Sequence, residues 1–176
     1  MRKENVRENS KAPERGGTFP GLQFHSRGVD PMPHSLIKML VHCVFSTKGR
    51  KDSIKNQAAL WAYMGGIARN VGIELIIAGG MPNHIHLLFW LPSTRTLAEL
   101  IRDFKANSSG WMRKSNRHFE WQQGYGAFSV SPWKLREVKS YIANQEEHHR
   151  TRTYEEEFLM FLDRAGIKYD LHDVFD

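Results

Sequence analysis

An α+β fold is predicted for this chain, with two helices laid over one face of an antiparallel sheet. Three observations predict it. Apolar residues alternate with period two in the first strand, they recur at helical spacing in the segments between strands, and the elements follow the order strand, helix, strand, strand, helix, strand.

From Leu36 onward, Ile37, Met39, Val41, Cys43 and Phe45 alternate with Lys38, Leu40, His42, Val44 and Ser46, a strand with one strongly apolar face. Ser53 is placed to cap a helix through Arg69, in which Leu60, Tyr63, Met64 and Ile67 share a side and which Gly72 ends. Ile73–Ile77 reads as the second strand, and Gly79-Gly80-Met81-Pro82-Asn83 as a turn. The third strand is His84–Leu91. Ser93 or Thr94 then caps a long helix with Leu97, Leu100, Ile101 and Phe104 on one side, and Tyr125–Val130 is the fourth strand. Ser131-Pro132 opens a further helix, with a capping hydroxyl and a proline at the first helical position. The first six elements match a ferredoxin-like (RRM-like) β-α-β-β-α-β sandwich. Its two helices would cover one face and leave the other for a site.

Residues 1–34 mix both charge signs with Gly16-Gly17, Pro13, Pro20, Pro31 and Pro33, and read as a disordered leader; Met32 is an alternative start. The folded domain is expected over 35–150. Residues 151–176 read as a helical tail, with Tyr154, Phe158, Leu159, Phe161 and Leu162 at helical spacing.

Of the 176 residues, 40% are apolar, enough for one core, yet no run is long enough to cross a bilayer. No secretory signal is visible. Cys43 is the only cysteine, which excludes disulfide scaffolds and cysteine-based zinc sites and suits a reducing cytoplasm. A net charge of +6 favours polyanionic partners.

His84 and His86 lie two apart on a strand, so both imidazoles leave the same face while Ile85, Leu87 and Phe89 point under the helices. Two neutral imidazoles side by side suit a divalent metal but leave its shell incomplete. The bare triplet occurs often by chance. His42 shares the equivalent face of the first strand and reads as a half-buried strand residue; adjacent His148 and His149 point in different directions and are not assigned to a site. Tyr141 and Gln145 are four apart, stacked on one helix face at the edge of the Leu135, Val138 and Ile142 stripe. A tyrosine there is more often packing than chemistry. A phenol, with its pKa of about 10, becomes a useful nucleophile when a cation stabilises the developing charge, and Gln145 could supply an oxygen ligand.

Together these segments are more specific. Met81-Pro82-Asn83-His84-Ile85-His86-Leu87-Leu88, followed by a capped helix and Val138-Lys139-Ser140-Tyr141-Ile142-Ala143-Asn144-Gln145, resembles the single-tyrosine HUH transposases of bacterial insertion sequences. The likeness runs from Leu36 to Gln145 and includes Val41-His42-Cys43-Val44-Phe45-Ser46-Thr47-Lys48. The stretch at 144–150 and the acidic, aromatic tail look most like the REP-associated branch. The resemblance implies His84, His86 and Gln145 as metal ligands and Tyr141 as the nucleophile on single-stranded DNA. It further implies a 5′-phosphotyrosine intermediate, hairpin-forming DNA ends, and Mg²⁺ or Mn²⁺ as the metal. By ligand softness alone, two imidazoles suit zinc or manganese better than magnesium. The family includes homodimers, and the REP-associated branch leaves a monomer open.

Arg102, Lys105, Arg113 and Lys114, with Lys48, Arg50 and Lys51 at the end of the first strand, are candidate phosphate contacts, interleaved with Phe104, Trp111 and Phe119. The aromatics read better as core than as stacking platforms. Tyr125 is the rival nucleophile, disfavoured because no helix there carries a ligand one turn on. Two other functions remain: a non-catalytic nucleic-acid-binding module on the same fold, and a metal-dependent hydrolase that uses the histidines without a covalent step.

Overall fold

Four strands pair in the order β2-β3-β1-β4, every neighbour antiparallel, in a computed structural model that describes residues 36–175. The expected leader, with Met32, lies outside the described residues. The strands are β1 (Met39–Ser46), β2 (Leu75–Met81), β3 (His84–Leu91) and β4 (Gly126–Val130); α1 (Gln57–Asn70) and α2 (Leu97–Met112) connect them in the order expected of the ferredoxin-like sandwich. Val41, Cys43 and Phe45 of β1, and Ile85, Leu87 and Phe89 of β3, are buried against Leu60, Met64 and Ile67 of α1 and Leu100, Ile101 and Phe104 of α2. Alternation along each strand therefore sends one set of side chains to this core and the other to the opposite face. That core claims Phe104 and Phe119 outright, and Trp111 stacks on Tyr63.

Several boundaries differ from expectation. Ser53 does not cap α1: its N–H bonds to Pro82 O, and Asn56 Oδ1 accepts from Ala59 N instead. The cap of α2 is Thr96 rather than Ser93 or Thr94, because only Thr96 has a glutamate, Glu99, three residues on to complete a capping box. Met39 is the first paired residue of β1 and Gly126 of β4, so both strands start later than their composition suggests. Strand β2 begins at Leu75 and absorbs Gly79, Gly80 and Met81, which pair with His86, Ile85 and His84. The turn reduces to Pro82-Asn83.

The face opposite α1 and α2 is not left open. Pro132–Lys134 form a 3₁₀ turn before α3 (Leu135–Ala143), and α4 (Gln145–His148) follows. The expected continuous helix breaks at Asn144, with φ −107° and ψ 30°. Leu135, Val138 and Ile142 of α3 pack on Leu40 and Leu88. Two glycines let helices approach this face closely. A Cβ on Gly79 would lie 2.5 Å from Ile142 O, and one on Gly126 would lie 2.5 Å from Phe158 Cε2. The tail is helical as expected, in α5 (Tyr154–Arg164) and α6 (Leu171–Phe175). Helix α5 starts with a Thr153–Glu156 capping box.

Candidate active site

Strand register sets the site. Val44 is opposite His86 and Ser46 opposite His84, so both histidines rise from the face that α3 and α5 cover. Both are fully buried, as is Gln145 at 2% exposure. The expected meeting of helix and strand occurs within one chain: the Tyr141 and His86 rings lie edge to face with centroids 6.0 Å apart. Tyr141 and Gln145 reach the same site despite the break at Asn144.

Two groups that sequence reasoning passed over join them. Glu157, from α5, is fully buried, and its Oε2 lies 3.7 Å from His84 Nε2, 3.4 Å from His86 Nε2 and 3.4 Å from His149 Nε2. Its Oε1 accepts hydrogen bonds from the Tyr141 hydroxyl and from Gln145 Nε2. A signal for Glu157 existed: Tyr154, Glu157, Phe158 and Phe161 share one helical stripe, and a carboxylate on an apolar stripe is rarely solvated. It was hidden by the run Glu155-Glu156-Glu157, which reads as acidic residues at a helix start. In the sequence His149 points away from its neighbour His148 and suggests no shared site. The relevant spacing is with Gln145, four residues earlier on the same face. His42 is also more than a half-buried strand residue, being 4% exposed with Nε2 2.9 Å from His86 Nδ1.

Burial, followed by the neighbouring His149 and His148, pulls the His86 pKa down to about 3. Burial likewise lowers His84, His42 and His149, so these imidazoles are neutral near pH 7. Burial pushes Glu157 up to about 8.

A neutral imidazole carries one N–H. His149 Nδ1 lies 2.8 Å from Arg152 O, a carbonyl that can only accept, so the proton is on Nδ1 and Nε2 is a bare lone pair. His84 Nδ1 is 2.7 Å from Asn83 Oδ1, which leaves its Nε2 in the same state, and His86 Nδ1 shares one proton with His42 Nε2 across 2.9 Å. Gln145 turns its NH₂ to Glu157, so its Oε1 faces His149 Nε2 at 3.0 Å and His84 Nε2 at 3.3 Å. More lone pairs converge here than protons, since a protonated Glu157 brings a single O–H to several imidazole nitrogens. His86 Nε2 and Glu157 Oε2 are buried with no hydrogen-bond partner. Each such orphan costs about 1–3 kcal/mol, and more when charged. A cation would give these converging nitrogens and oxygens a common partner, so these residues fit a divalent metal.

Residues 35–145 match the family described as "Transposase IS200 like". The chain belongs to this transposase family. Among solved structures, a candidate transposase from Deinococcus radiodurans R1 is 23% identical, aligns over 66% of this chain and 98% of its own, and has a TM-score of 0.52. The REP-associated tyrosine transposase bound to a REP hairpin is 15% identical over 69% of this chain and 74% of its own, also with a TM-score of 0.52. At these identities the two structures support the fold. No curated protein matches.

Among the candidate DNA contacts of this transposase, Lys51, Arg102, Arg113 and Lys114 are exposed. Lys48 is exposed and bridges to Glu120 at 2.5 Å. Arg50 instead bonds Glu155 at 2.8 Å and Phe175 O at 2.7 Å, and Lys105 donates to Gln122 O at 2.8 Å and to Gly124 O. Tyr125, the rival nucleophile, is 39% exposed in the loop before β4. No helix among the described residues is long and apolar enough to cross a membrane.

Proposed function

We propose that this transposase cleaves and rejoins single-stranded DNA through a covalent bond to Tyr141. The observation that carries the reading is the convergence of the buried His84, His86 and Gln145 side chains beside the Tyr141 ring. His84, His86 and Gln145 would hold a divalent ion, Mg²⁺ or Mn²⁺, which supplies Lewis-acid polarisation of the scissile phosphate.

The remaining work falls to the chain. Gly79 lets α3 lie close enough to β2 to hold Tyr141 beside His86. The phenol already donates to Glu157 Oε1, and Glu157 as the carboxylate, the form a nearby divalent cation would favour, takes its proton as the tyrosine O–P bond forms. The P–O3′ bond breaks, and the departing 3′ oxygen takes up a proton from solvent. Rejoining reverses this: a DNA 3′-OH attacks the phosphotyrosine, the O–P bond to Tyr141 breaks, and the phenol regains its proton. The energy of the original phosphodiester is conserved in the phosphotyrosine, so no nucleotide cofactor is required. The exposed Lys48, Lys51, Arg102, Arg113 and Lys114 would hold DNA phosphates; Arg50 and Lys105 are half-buried and held within the fold. Hairpin ends are the proposed substrate because a relative of similar fold is bound to a REP hairpin.

The test is incubation of the chain with a single-stranded hairpin oligonucleotide and Mg²⁺ or Mn²⁺. A covalent protein–DNA adduct is expected that disappears in Tyr141→Phe. Binding with no adduct under either metal would make the chain a nucleic-acid-binding module. Cleavage that survives Tyr141→Phe but is lost in His86→Ala would make it a hydrolase without a covalent step.

A further inference from the structure

The family match ends at residue 145, yet two of the groups facing the histidine pair lie beyond it. We infer that His149 and Glu157 are metal ligands in addition to His84, His86 and Gln145, so that the ion is held mainly by three imidazoles and a carboxylate and ties α5 to the sheet. The inference rests on the metal reading above and extends it.

Three features support it. The candidate ligand atoms of His84, His86, His149 and Glu157 all lie within 4.8 Å of one another. Ligand atoms about 2.1 Å from a shared tetrahedral ion stand about 3.4 Å apart. Glu157 Oε2 is 3.7, 3.4 and 3.4 Å from the three Nε2 atoms, close to that edge length. The two oxygens of Glu157 also have separate tasks. Oε1 takes the hydrogen bonds from Tyr141 and Gln145, whereas Oε2 is buried with no hydrogen-bond partner and faces the imidazoles. Finally, every imidazole is oriented by its Nδ1, through Asn83, His42 and the Arg152 carbonyl, the arrangement that aims a histidine lone pair at a metal. His149 is oriented as firmly as the two strand histidines.

A set of three nitrogens and one carboxylate oxygen has a chemical consequence. Imidazole-rich sites favour zinc and the later first-row ions, whereas Mg²⁺ prefers oxygen ligands and retains its waters. Zn²⁺ and Co²⁺ should therefore bind more tightly than Mn²⁺, and Mn²⁺ more tightly than Mg²⁺. The bound ion should also hold α5 in place, since Glu157 sits one turn into that helix.

The experiment is calorimetric titration of the full chain with Zn²⁺, Co²⁺, Mn²⁺ and Mg²⁺, without DNA, for wild type, Glu157→Gln, His149→Ala and His86→Ala. Glu157→Gln keeps the side-chain shape, and circular dichroism checks that each variant is folded. The expected result is a loss of at least about tenfold in Mn²⁺ and Co²⁺ affinity in both Glu157→Gln and His149→Ala. A second readout is tryptic cleavage after Arg150 and Arg152, which Zn²⁺ or Mn²⁺ should slow in wild type. Wild-type affinity in Glu157→Gln and His149→Ala, with loss only in His86→Ala, overturns this inference and leaves the two-histidine site standing. Equal affinity in His86→Ala and wild type overturns the metal reading itself, and this inference with it.

Discussion

His42 Nε2 meets His86 Nδ1 at 2.9 Å, with the two rings stacked at 19° and 5.1 Å between centroids. With His42 Nε2 as the acceptor, the His86 proton sits on Nδ1 and Nε2 is free to face Glu157, the tautomer that metal binding requires. His42 thereby positions a candidate ligand without touching the ion. Replacement by phenylalanine keeps an aromatic ring but removes the acceptor. His42→Phe should weaken Mn²⁺ binding about 10- to 100-fold, measured by titration calorimetry. Unchanged affinity would show that His42 only fills space.

Glu157 makes stability depend on pH in the metal-free protein. Its folded pKa, about 8, lies above the ordinary value of 4.5. The folded state therefore binds the extra proton, and its contribution is full below about pH 4.5 and lost as pH rises through 8. With chelator present, the urea midpoint of wild type should fall between pH 5 and 8, and that of Glu157→Gln should fall less. Parallel curves for the two proteins would refute the buried-acid reading.

Gly79 is where α3 touches the sheet. A methyl group there meets Ile142 O, a backbone atom that cannot rotate away. Gly79→Ala should cost about 1–3 kcal/mol by overpacking. It should also slow adduct formation and weaken Mn²⁺ binding, because both Tyr141 and Gln145 move with α3. Single-turnover adduct kinetics at saturating Mn²⁺ read this directly, and wild-type rates would show that α3 need not sit so close.

The capping box at Thr153 sets where α5 begins, four residues before Glu157. Thr153→Ala should destabilise the start of that helix by about 0.5–2 kcal/mol. Amide exchange in residues 154–158 should accelerate relative to β1 and β3. Exchange that stays at wild-type rates would mean that packing by Tyr154 and Phe158 alone fixes the helix.

The sequence by itself determined the order of elements, the apolar face of β1 and β3, and the shared face of His84 and His86. All of these follow from side-chain periodicity within a single segment. It also brought Tyr141 and Gln145 together, because four residues on a helix is a local spacing that survived the break at Asn144. What only the tertiary structure decided is the rest of the site. His42 joins His86 through the β1–β3 register, and Glu157 arrives on a helix whose docking depends on Gly126 lying beneath Phe158. The predicted turn at Gly79-Gly80 became strand for a similar reason: there the glycines serve pairing and close helix approach. Such contacts join residues distant in sequence, and a local pattern carries no information about which distant segment will complete it.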